Sequence, residues 1–133
     1  MVSLSTTGIW ILRLLAAIIL LQTLYFKFSA APESIYIFSK LGMEPWGRVS
    51  IGILELFASI LILVPATTFF GSLLAIALMS GAIFFHLTAL GISVQNDGGQ
   101  LFIYALLVLV SSMALAIIYR GDLLMVREIL IKS

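Results

Sequence analysis

The chain has 133 residues, 62% of them hydrophobic and 10% charged, with a formal net charge of +1, and its mean hydropathy is +1.24. A water-facing domain keeps roughly a quarter of its residues charged, so most of this surface must face lipid, and with no basic stripe no nucleic-acid partner is expected. Cysteine is absent, which removes disulfides, thiolate metal centres, iron–sulfur clusters and thiol redox relays.

A bilayer crossing takes about 20 predominantly apolar residues, folded as a helix so that every backbone polar group is satisfied internally. The first such stretch, Gly8 to Ala30, carries Arg13, Gln22 and Lys27. It is too long, and lacks the basic leader, for a cleaved signal, so it is expected to remain as a span. In the connection "APESIYIFSKLGMEPWGR", Pro32 suits a first helical turn and Ile35, Phe38 and Leu41 recur at helical spacing. Gly42 would end that helix, which should lie in the interface with Trp46 in the aromatic belt. The second span runs from Arg48 to Val64 and holds one charge below its first residue, Glu55. "VPATT" around Pro65 leaves room only for a tight antiparallel hairpin into the third span, Thr67 to Ile92, which holds His86. "SVQNDGG" reads as a polar turn, and the fourth span, Gln100 to Tyr119, carries no charge. Residues 122–133 begin with Asp122 as an N-cap and alternate apolar and charged faces, as a surface amphipathic helix does. The fold expected is all-α: one four-span membrane bundle over residues 1–133, with an interfacial helix in the first connection and an amphipathic tail.

Basic residues set the orientation. Arg13, Arg120, Arg127 and Lys132 fall on one side, Lys27, Lys40 and Arg48 on the other. The positive-inside rule then puts both termini in the cytoplasm.

Glu55 is the residue that needs explaining, because an ionised carboxylate inside a bilayer is expensive and a neutral one still needs a partner. At a helical rise of about 1.5 Å per residue, Glu55 lies roughly 10 Å below Arg48 and His86 roughly 9 Å below Ile92, in the same leaflet. Gly52, Ala58 and Ser59 share the face of Glu55, and Ala75, Met79, Ala82 and Ala89 that of His86. Such small residues mark close helix contacts, so both side chains should point into the bundle. Lys27 and Tyr104 lie near the same rim, and Gln100 and Asp97 stand at its mouth. The candidate site is therefore a polar pocket formed by Glu55, His86, Lys27, Arg48, Tyr104, Gln100 and Asp97, with Gln22 turned about 140° from Lys27 toward a flank or a neighbouring subunit.

Each member also has a plainer reading. Glu55 with Lys27 or Arg48 can be an ion pair that sets helix register, and His86 can be an interhelical hydrogen-bonding group rather than a proton-exchanging partner of Glu55. A metal centre is not expected, since it needs three or four donors, and neither is haem. Arg13 and Lys27 near helix ends usually snorkel to the interface. Trp10, Trp46, Tyr36 and Tyr119 suit an aromatic belt, and Asp97-Gly98-Gly99 suits a simple turn.

The segments "LQTLYFKFS", "LGMEPWGRVSIGILEL" and "GAIFFHLTALGISVQNDGG" resemble those of the DoxX-like family of small four-helix membrane proteins, over about Leu12 to Arg120. That resemblance implies association with membrane redox systems, among them a thiosulfate:quinone oxidoreductase, and a place in a bacterial cytoplasmic membrane. Without cysteines the chain is not a thiol enzyme on its own. The function expected is a binding or accessory subunit, not itself an enzyme, with a pocket for a quinone or other small molecule. Its partners would be the bilayer, a small molecule, and a redox complex or further copies of itself. A structural or assembly protein is the first alternative, and a proton-coupled transporter or channel oligomer the second. The latter is disfavoured because no inverted repeat or broken helix is present.

Overall fold

In the computed structural model, residues 5–121 and residue 131 are described. The described residues form five α-helices, α1 (Thr6–Phe28), α2 (Pro32–Lys40), α3 (Trp46–Leu63), α4 (Thr68–Phe85) and α5 (Gln100–Ile118). A 3₁₀ turn at Pro65–Thr67 joins α3 to α4, and a π-helical turn at His86–Leu90 extends α4. The amphipathic helix expected over residues 122–133 lies, apart from residue 131, outside the described residues. Four elements, Thr6–Phe28, Trp46–Leu63, Pro65–Leu90 and Gln100–Ile118, are long and apolar enough to cross a bilayer.

The four crossing helices form a ring in which α1 packs against α3 and α5, and α4 packs against the same two. Alanines make the close contacts possible: Ala16, Ala58 and Ala75 are all 0% exposed at the centre of the bundle, where a small side chain lets helix backbones approach. Leu20, Ile62, Val108 and Leu115 fill the remaining space. Ile11, Phe57, Ile60, Phe84 and Val110 are exposed on the outer surface, the apolar face that a bilayer solvates.

Local chemistry explains the turns. Pro65 has no N–H to give the Leu61 carbonyl, so Thr67 Oγ1 donates to it instead at 2.9 Å, and Thr68 Oγ1 donates to the Ile62 carbonyl at 3.0 Å. Membrane helices need such replacements, because lipid offers none. Gly71 lets the hairpin close: a Cβ there would stand 2.7 Å from the Ile62 backbone nitrogen. At the other end of the bundle, Gly42 takes φ +74° and stops α2, a left-handed conformation that suits glycine.

Helix α2 lies against α1, α3 and the π turn and buries Ser34 and Phe38 beneath it. It roofs one end of the bundle. The tightly packed core occupies the middle and the opposite end, so the space under α2 is where a site can form.

Candidate functional site

A cavity of about 360 Å³ opens under α2, lined by α1, α3, α4 and α5. Its walls are mostly apolar, with Ile19, Ile37, Phe38, Met79 and Phe85 among them. Gln22 and Phe26 line it while both are exposed, so the cavity reaches the lipid-facing flank of α1. Gln22, expected on a flank, stands at this opening.

The polar floor is Glu55, 1% exposed. It sits near the middle of α3, on the face carrying Gly52 and Ser59. Lys27 reaches across from the end of α1 and places its ammonium 2.6 Å from Glu55 Oε1. Thr23, one turn earlier on α1, donates its hydroxyl to Oε2. The carboxylate is therefore held by two groups of one neighbouring helix. Thr23 shares the α1 stripe with Lys27 at a spacing of four, and that spacing was the signal available for it in the sequence.

Arg48 is not in this cluster. Its guanidinium grips Glu44, with Nε 2.9 Å from Oε1 and Nη2 2.9 Å from the same oxygen, and Nη1 donates to the Lys27 carbonyl. Glu44, one turn before Arg48, is the nearer carboxylate, and the last carbonyls of α1 need donors. Arg48 thus fastens the first connection to the end of α1.

His86 lines the cavity and is 5% exposed. No hydrogen bond joins it to Glu55 among the described residues. Instead its Nδ1 lies 2.9 Å from the Gly91 carbonyl oxygen, and its ring meets Phe102 edge-on with centroids 5.6 Å apart. The π turn also rotates the residues after His86, so Leu90 is buried and Ala89, expected on the inner stripe, is exposed. Gln100 Nε2 donates to the Tyr104 hydroxyl at 2.8 Å, and both line the cavity.

Asp97 is a turn residue. Its carboxylate accepts from the amides of Val94, Gly99 and Leu101, which caps α5. Partial burial pushes its pKa up, but the three amides, with His86 when that ring is protonated, outweigh this and bring it below the ordinary carboxylate value. Two polar cavity-lining residues on α2, Glu33 and Ser34, escaped the sequence reading. Burial, then Asp97, raises the Glu33 pKa above its ordinary value, and Glu33 Oε1 is buried with no hydrogen-bond partner. Their signal was position alone: both fall in the first turn of the helix that roofs the bundle.

Arg13, expected to snorkel, is 3% exposed at the far end from the cavity. It donates to the Tyr119 hydroxyl, and its guanidinium carbon lies 4.6 Å from the Trp10 ring centroid. Among the described residues no group of three or more His, Asp and Glu converges to hold a metal.

The DoxX-like family model matches residues 11–114. The chain belongs to the DoxX-like family. No curated protein and no solved structure matches it. In this DoxX-like membrane protein the matched region contains Lys27, Glu33, Glu55, His86, Gln100 and Tyr104, all of which line the cavity.

Proposed function

We propose that this DoxX-like protein is a binding, non-catalytic subunit of a membrane redox system, and that its cavity holds the polar ring of a quinone-like lipid-soluble molecule. The observation that carries the reading is the pair of half-buried Lys27 and buried Glu55 at the floor of a mostly apolar cavity that reaches the lipid side of α1. Ligand sites have this character, with apolar walls, a few convergent polar groups and a volume of roughly 300–1,000 Å³. Lys27 would orient the ring, and the apolar walls would take its substituents. The bound molecule would supply the redox chemistry, with a partner complex as its donor or acceptor.

The same reading places the protein in a bacterial cytoplasmic membrane with both termini inside, on the balance of basic residues. One observation favours a structural role instead: the Lys27–Glu55 pair joins α1 to α3 and would hold their register without any ligand. Native mass spectrometry of the protein released from lipid nanodiscs, followed by titration with a short-tailed benzoquinone, separates the two. A retained lipid-soluble ring compound and saturable binding support the proposal. Empty protein and no binding assign the pair to structure alone.

A further inference from the structure

Ile53, Phe57 and Ile60 on α3 and Ile103, Val110 and Ile117 on α5 are exposed and apolar, which is all that lipid asks of a helix face. Helix α1 differs. Gln22 is exposed within a helix that ends at Phe28, and so lies about 9 Å below that end at 1.5 Å per residue. Its carboxamide carries two N–H donors and an accepting oxygen, and among the described residues no hydrogen bond engages them. Acyl chains offer no partner, and an amide left unpaired in hydrocarbon is costly.

The amide stands in a stripe. Ile11, Leu15, Ile18 and Tyr25 are exposed with it, at alternating spacings of four and three residues and within an arc of about 80° at 100° per residue. Helices pair along seams of this period at a shallow left-handed crossing. An apolar seam alone would need only lipid, but the amide in it calls for a donor and an acceptor at its own depth. Copies of one chain in one bilayer share their orientation, so two α1 helices that meet along this stripe are related by a two-fold axis along the membrane normal. Each residue then faces its own counterpart. Two facing carboxamides are self-complementary, because each donates an N–H to the other's oxygen, and one polar residue in such a seam fixes its register. We propose that this protein pairs with a second copy of itself along the outer face of α1, through reciprocal hydrogen bonds between the two Gln22 side chains. The other α1 residues that line the cavity, Ile19, Thr23 and Phe26 among them, fall to one side of the stripe, so pairing leaves the cavity opening on its flank. The inference holds whatever the cavity contains.

Two measurements on the full chain test it. With Asn96→Cys as the labelling site, donor- and acceptor-tagged copies in phosphatidylcholine vesicles report pairing by energy transfer as lipid is added. Gln22→Leu should need about tenfold more protein per lipid to pair, the effect of losing interhelical hydrogen bonds. Its melting temperature should match that of wild type, because the side chain is exposed. Gln22→Asn, which keeps the amide, should pair more tightly than Gln22→Leu. The chain has no cysteine of its own, so single thiols map the face: Leu15→Cys and Tyr25→Cys should cross-link under mild oxidation, and Ile53→Cys on α3 should not. Energy transfer that is absent at every lipid ratio, or equal in wild type and Gln22→Leu, overturns the proposal. Cross-linking through Ile53→Cys with none through Leu15→Cys or Tyr25→Cys does the same. Unchanged pairing with weaker benzoquinone binding in Gln22→Leu also overturns it, and assigns the amide to the cavity.

Discussion

Lys27 at the end of α1 and Glu55 in the middle of α3 meet at 2.6 Å, although a second cation, Arg48, lies two turns from Glu55 on its own helix. Glu55 is buried and Lys27 half-buried; removing one member of a fully buried pair costs about 3–5 kcal/mol by stranding the other, so this pair should cost somewhat less, while replacing both with apolar residues is often neutral. Glu55→Gln and Lys27→Met should therefore each lower the melting temperature. The double variant Lys27→Met/Glu55→Leu should recover most of it yet remain unable to bind a benzoquinone. Thermal unfolding and ligand titration on the same samples check this; a double variant that binds like the wild type would remove the pair from the site.

Arg48 makes the opposite prediction. It grips Glu44 and the end of α1, so Arg48→Ala should cost roughly 1.5–3 kcal/mol, the range for hydrogen bonds to charged groups. Ligand affinity should stay within about twofold, well under the tenfold that 1.4 kcal/mol represents.

Asp97 links the turn to pH. Its pKa is lowered in the folded state, so its contribution is present above the unfolded carboxylate value of about 3.9 and is lost as pH falls through the folded value. Asp97→Ala should cost about 1 kcal/mol at neutral pH, as the loss of a helix cap does. Unfolding curves of wild type and variant should converge in acid; a constant gap between them would mean that the carboxylate's charge plays no part.

Glu33 should behave in the reverse sense. Its raised pKa means that its contribution is full below the unfolded value of about 4.3 and is lost as pH rises through the folded value. Glu33→Gln should therefore be at least as stable as wild type at neutral pH and lose its advantage in acid. A melting-temperature series against pH decides this, and a variant less stable at neutral pH would show that the ionised carboxylate has a partner.

Gly71 is the closest approach in the hairpin. Gly71→Leu must push α4 away from the Leu61–Ile62 backbone, and overpacking of this kind costs roughly 1–3 kcal/mol. A fall in melting temperature with reduced yield of folded protein is expected, whereas Gly81→Ala, with open space around it, should be near neutral.

Cysteine labelling tests the orientation. A cysteine at Ser5 should resist an impermeant thiol reagent in intact cells and one at Asn96 should react. The reverse pattern would put the cavity in the cytoplasmic leaflet.

Hydropathy and periodicity are local properties of a chain, and the features that depend on them were legible in the sequence: four crossing helices, the hairpin at Pro65, the stop at Gly42 and the inward face of Glu55. A helical wheel and a rise per residue give each side chain a depth and an angle. They do not say which of several groups at one depth will meet, because that depends on how the helices rotate and pack. Tertiary structure therefore decided that Lys27, not Arg48, reaches Glu55. It also turned His86 to the Gly91 carbonyl through a π turn that straight-helix geometry does not anticipate, and brought Gln22 to the cavity wall. The largest addition is Glu33: nothing in its own neighbourhood marks it, and it faces the site only because α2 folds back over the end of the bundle, where burying Phe38 is more favourable than leaving the helix undocked.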